Sequence, residues 1–249
     1  MVGEWKCSHG GGAGMSLSLG VLAEPPGSPR TTSATYLDKN GHMQIAKPGV
    51  LRPNYVLNDA GVWMQQGFLR EEQSTNYVYS NTSYSDCWTR VNANFSEVDG
   101  IMDGIFGFRW ESDDLTPQYM ANGNAVDNIN SFSLWIKTVP YNSAYNVYFT
   151  PRAGTVNITL NIDKNGLIIS SNYTLGKITY TLVGGWYKVN VTNVNSWIGK
   201  GIASPVFWGG KKGYVVSGLQ AESSSAPTSL IATSGSISTR TSDYIKDYS

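Results

Sequence analysis

Hydrophobic and polar side chains alternate one by one along Phe132-Ser133-Leu134-Trp135-Ile136-Lys137. That period predicts a β-strand with Phe132, Leu134 and Ile136 on one face and Ser133, Trp135 and Lys137 on the other. The alternation returns downstream. Tyr145, Val147 and Phe149 share a face, as do Val156, Ile158, Leu160 and Ile162, then Ile178, Tyr180 and Leu182, then Tyr187, Val189 and Val191. These faces are expected to meet in a core, each buried side chain contributing about 1.5–3 kcal/mol. Further short runs at 77–80, 88–95, 105–110, 167–170, 203–208 and 214–219 recur at intervals of about ten residues with turn residues between, the pattern of an antiparallel sandwich. No long segment carries a helical period; one short helical turn is expected near 116–120.

The opposite faces carry Asn146, Tyr148 and Thr150, then Thr155, Asn157, Thr159 and Asn161, then Lys177, Thr179 and Thr181, then Lys188, Asn190 and Thr192. With Ser133, Trp135 and Lys137 they make an amide-and-hydroxyl surface bearing two aromatic rings. Three readings follow. Such residues are what solvated strands carry; they are also what binds sugars, whose C–H faces stack on rings while hydroxyls pair with amides; or they meet a neighbouring subunit or the N-terminal segment.

Turn signals set the organisation. Asp38-Lys39-Asn40-Gly41 lies between short apolar runs and predicts a hairpin, because Asn and Gly both tolerate positive φ. The same four residues recur as Asp163-Lys164-Asn165-Gly166, with different flanks, so they are a repeated turn and not a repeated unit. Residues 1–31 are rich in Gly and Pro and read as a flexible arm or anchor. The segment 32–75 is turn-rich and expected to pack on a sandwich spanning 76–224, with 225–249 as a C-terminal extension. The fold class is all-β, an antiparallel β-sandwich of the jelly-roll, lectin or carbohydrate-binding-module kind with an extended N-terminal arm.

Charge narrows the partners. Only 14% of the 249 residues are charged and the formal net charge is zero, so nothing points to nucleic acid or an anionic membrane. The 27 Gly, 15 Tyr and 8 Trp suit strands, tight turns and adhesive surfaces. No run approaches the roughly 20 apolar residues of a membrane span. No secretory leader is evident, which places synthesis in a cytoplasm. Cys7 and Cys87 are then expected as free thiols, with a disulfide as the alternative. The five Asn-x-Ser/Thr triplets, at Asn81, Asn94, Asn157, Asn172 and Asn190, are expected to be unglycosylated.

Catalytic chemistry is thin. Glu97 and Asp99 have a strand-like spacing but sit beside Gly100, in an expected loop. Glu111, Asp113 and Asp114 form an acidic knot after Trp110, read as a solvated turn or as loop ligands for Ca²⁺. His9 and His42 lack a nucleophile motif beside them. Cys7 and His9 are too few for a metal site. Gly209-Gly210-Lys211-Lys212-Gly213 lacks phosphate-loop spacing and reads as a hairpin loop. Neither an enzyme nor a cofactor is expected; the enzymatic alternative is a glycan hydrolase that uses Glu111 or Asp113. Trp88, Trp186 and Trp208 read as core, whereas Trp63, Trp110 and Trp197 are less constrained. For a bound glycan the candidates are Trp135, Tyr148 and Trp197, each of which could instead pack beneath the N-terminal segment.

Three stretches together carry a resemblance. One is Thr32 to Gly41 with Arg52-Pro53-Asn54-Tyr55. The second runs from Gly67-Phe68-Leu69-Arg70-Glu71-Glu72 to Ser80, followed by Trp88-Thr89. The third is Gly218-Leu219-Gln220-Ala221-Glu222, then Pro227 to Gly235, then Thr239-Arg240. Over roughly residues 32–243 the chain resembles a family of phage virion proteins found in tail fibres, head fibres and spikes. The resemblance implies a structural component of a virion surface, made in the host cytoplasm and attached to capsid or tail proteins. It also implies a homo-oligomer, with a trimer the usual state for fibres, and contact with a host surface glycan. It transfers no binding residues.

Overall fold

The protein is seen in a computed structural model that describes residues 28, 30–78, 88–91, 95–110, 119–122, 129–138, 146–150, 158–163, 166–171, 177–193, 206–208, 214–234 and 236–243. The described secondary structure is all β. It opens with four strands forming two hairpins: β1 (Ala34–Leu37) pairs with β2 (Met43–Ala46), and β3 (Pro53–Leu57) with β4 (Trp63–Phe68). Then follow β5 (Ser74–Asn76), β6 (Trp88–Val91), β7 (Phe95–Asp99), β8 (Phe106–Trp110), β9 (Tyr119–Asn122), β10 (Ser131–Thr138), β11 (Asn146–Thr150), β12 (Ile158–Asp163) and β13 (Gly166–Ser171). The last are β14 (Ile178–Val183), β15 (Trp186–Thr192), β16 (Val206–Trp208), β17 (Tyr214–Glu222) and β18 (Ser238–Arg240).

Two six-stranded antiparallel sheets make a β-sandwich. One has the order β14-β15-β10-β17-β8-β7 and the other β13-β12-β11-β16-β9-β6. The alternation read from sequence builds the space between them: Phe132, Leu134, Ile136, Val189, Val191 and Val216 from the first sheet share a core with Ile158, Leu160 and Leu167 from the second. The central strand β10 runs from Ser131 to Thr138 between β15 and β17, with Leu134 opposite Val189.

Several expectations are corrected. Residues 119–122 form a strand between β6 and β16, not a helical turn; residues 116–118 lie outside the described part. Glu97 and Asp99 are on a strand, β7, exposed at the edge of the first sheet, not in a loop. The stretch 209–213 itself lies outside the described residues, but it joins β16 in one sheet to β17 in the other, so it is a crossover and not a hairpin. Tyr180 and Leu182, expected in the core, are 49% and 50% exposed, because β14 is the outermost strand of its sheet. Finally, the stretch expected to be a free arm to residue 31 is already packed at Ser28 and Arg30, both buried.

The hairpins form for a local reason. In the first, Asp38 Oδ1 accepts from the Asn40 and His42 amides at 2.8 and 3.0 Å, and Gly41 takes the left-handed conformation at φ 76°. The second turn, Asn58-Asp59-Ala60-Gly61, uses the same device: Asn58 Oδ1 accepts from Ala60 and Val62 at 3.1 and 2.8 Å. These hairpins and the segment after β17 cover the outer face of the first sheet. A second apolar cluster forms there from Trp135, Val183, Trp186 and Val215, with Leu37, Met43 and Trp63 from the hairpins packed on it.

Candidate functional site

Trp135 organises this second layer. Strand parity turns its ring away from the facing sheet, and the hairpins close over it, leaving it 2% exposed. The neighbouring strand makes room. At Gly218 the pairing of β10 with β17 slips by one residue between Ser133 and Trp135, a bulge with φ 56°. A Cβ at that position would stand 2.8 Å from Trp135 Cδ1, so both conformation and space require glycine. Beside Trp135 in register on β15 is Lys188, whose Nζ lies 5.8 Å from the ring centroid. Lys137 likewise places its Nζ 4.2 Å from the Trp186 ring.

Above Trp135 and Lys188 is a cavity of about 170 Å³. Its walls come from β1 and β3 on one side and from Leu69, Glu71 and the segment 227–230 on the other. Glu71 ties it to a buried ionic cluster. Arg52 Nη2 is 2.8 Å from Glu71 Oε2 and is also paired with Asp243 Oδ2. Arg30 Nε lies 3.1 Å from Asp243 Oδ1, and Arg240 Nη1 lies 3.3 Å from Glu71 and 3.5 Å from Asp243. All three guanidinium side chains are fully buried. Backbone groups join in: Glu71 N donates to Asp243 Oδ2, and Asp243 N donates to the Glu71 carbonyl, each at 3.0 Å.

Beside it lies a second polar set. Glu222 is buried and accepts from Ser74 Oγ, from Thr228 N at 2.8 Å and from Gln220 Nε2 at 2.7 Å. Gln220 in turn accepts from Ile231 N at 2.6 Å. Asn76 bonds the carbonyl of Ile231 and the amide of Ala221. Ser229 donates its amide and its hydroxyl to Glu71.

Burial sets the titration, against partners. Burial opposes ionisation of Glu71, but Arg240 and Arg52 outweigh it and hold the carboxyl below its usual range. Asp243 is likewise penalised by burial and brought lower still by its Arg52 and Glu71 amide bonds. Lys188 goes down: burial disfavours its charge, and Glu71 and Glu222 restore only part of it.

The residues singled out in the sequence are dispersed by this arrangement. Trp135 is a floor and not an open platform. Tyr148 is on β11 in the other sheet, paired with Thr159 and Trp208, while Trp135 points away from that sheet, so the two cannot stack on one sugar. Trp197, the acidic knot of Glu111, Asp113 and Asp114, and Cys7, His9 and Cys87 lie outside the described residues. Among the described residues no group of three or more His, Cys, Asp or Glu side chains is placed to hold a metal ion, and no helix is long and apolar enough to cross a membrane. Sequence reasoning missed Lys188 and the arginine cluster. The signal present for the cluster was Arg, Glu, Gln and Asp in otherwise small-residue, low-charge stretches.

These features define an all-β sandwich whose outer face is sealed by its own N- and C-terminal segments. No family model matches the chain, and no curated protein matches it.

Proposed function

We propose that the protein is a structural component of a bacteriophage virion, displayed on the particle surface as a fibre, spike or capsid decoration after synthesis in the host cytoplasm. One observation carries this reading. The three stretches that resemble phage fibre and spike proteins are far apart in sequence, yet Arg52, Glu71, Gln220, Glu222, Thr228, Ser229 and Arg240 from all of them meet in two adjoining, linked polar clusters. Those residues are spent on holding the module together, as a passive surface component requires. The exposed apolar side chains of the two hairpins, among them Met64 at 53%, Ile45 and Phe68, support self-association through the hairpins, a trimer being the expected state.

The test is to purify particles and locate the protein by mass spectrometry and immunogold imaging. Removing residues 1–27, short of the packed Ser28, should abolish incorporation and leave the fold intact. Particles that lack the protein, or that take up the shortened form normally, would refute the assignment.

Host-glycan recognition as the main role is the second reading. With Trp135 covered, exposed Tyr180 on the edge strand, its ring 6.0 Å from that of Tyr187, is the described aromatic pair that favours it. Glycan-array binding lost in Tyr180→Ala would support it; an array without hits argues against it.

A further inference from the structure

We propose that the cavity over Trp135 binds a small organic monoanion, an apolar-bodied carboxylate, with the Lys188 amine as its counter-charge.

The walls set the body of the ligand. Leu37, Met43, Leu69, Trp135 and Leu230 supply apolar walls. A cavity of about 150 Å³ accommodates benzene, so 170 Å³ suits about six to nine non-hydrogen atoms. Four polar side chains on the wall are committed, which leaves Asn54 and Tyr36 among the polar lining residues. Thr35 Oγ1 donates to the Leu230 carbonyl, Thr228 Oγ1 to Glu222, and Ser229 Oγ to Glu71, whose own carboxylate faces Arg52 and Arg240. A neutral sugar would turn most of its hydroxyls onto apolar walls, at a desolvation cost with little return.

Charge sets the head group. Among the described residues Lys188 Nζ makes no hydrogen bond and no ion pair, only the approach to the Trp135 ring. Arg30, Arg52, Arg240 and Lys188 face Glu71, Glu222 and Asp243, four cations against three carboxylates. With Lys188 protonated the surplus is one positive charge, and Arg240 Nε and Nη1 also make no hydrogen bond among the described residues. A cation would be repelled by this field and a dianion would overcompensate it. A single carboxylate balances it and supplies the half-buried Lys188 amine with an ion-pair partner.

The inference is independent of any place on a particle. It is tested by titrating the full chain with sodium benzoate by calorimetry at neutral pH. The expected result is 1:1 binding with Kd below about 1 mM. Lys188→Met should weaken it about tenfold or more, and benzyl alcohol, the same ring without the charge, should bind comparably more weakly than benzoate. Leu69→Trp, which fills the cavity, should abolish binding while circular dichroism stays native. No saturable heat at about 10 mM benzoate, or equal affinity for benzoate and benzyl alcohol, overturns the proposal. So does unchanged affinity in a folded Lys188→Met protein. Should that variant not fold, the benzyl alcohol comparison and Leu69→Trp decide.

Discussion

At Gly218 three demands meet in one residue: a bulge in β17, a positive φ, and a side-chain space already filled by Trp135. Alanine satisfies none of them. Gly218→Ala should therefore destabilise the protein by about 1–3 kcal/mol, read as a lower urea midpoint, whereas Gly67→Ala, with nothing near its Cβ, should cost less. The carboxylates of Glu71 and Asp243 give a second residue-scale consequence. Both ionise more readily in the fold than in the unfolded chain. Their contribution is fully present above the ordinary carboxylate range and is lost as pH falls through the lowered folded values. Unfolding free energy should accordingly fall below about pH 4, and Asp243→Asn should flatten that acid limb while lowering stability at neutral pH.

The elements show which patterns a sequence displays. The strand character of β14 was legible from the alternation of Ile178, Tyr180 and Leu182. Its burial was not legible, since an edge position in a sheet is a property of neighbours far away in the chain. Residues 119–122 lack the alternation that marks the other strands. The β3–β4 hairpin was hidden because its turn reads Asn-Asp-Ala-Gly, without the Asn-Gly pair that marks the first hairpin, although the capping side chain does the same task in both. Asn58→Ala should lower stability by about 1 kcal/mol and raise amide exchange across 53–68 while leaving the sandwich amides protected. Trp135 follows the second of its two readings, packing beneath the N-terminal segment and not serving as a sugar platform, for a physical reason. A strand covered on both faces can still alternate, if one face meets an apolar core and the other a mixed layer of tryptophan, lysine and serine.

Across the whole molecule, the covering layer depends on contacts between distant parts of the chain. Arg30 reaches Asp243 across 213 positions, and Thr35 reaches Leu230 across 195. Such closure is slow to form, because much loop entropy is lost before the contacts repay it. Ending the chain at residue 224 would remove Thr228, Ser229, Arg240 and Asp243, and with them the partners of Glu71, Glu222 and Arg52. The expected outcome is rapid proteolysis within 30–75, new dye binding at the uncovered Trp135 and Trp186 face, and a sandwich that still resists cleavage. A truncated chain in which 30–75 stays protected would show that the hairpins hold themselves in place.

The hydrogen bonds from Ser28 to Asp243 have one more consequence. They bring the start and finish of the described chain to the same spot, so a pull applied between those two points loads the arginine–carboxylate clamp before it strains a single strand of the sandwich. The clamp should act as a mechanical fuse under such a pull, yielding first and releasing the hairpins as slack before the twelve-stranded body is loaded.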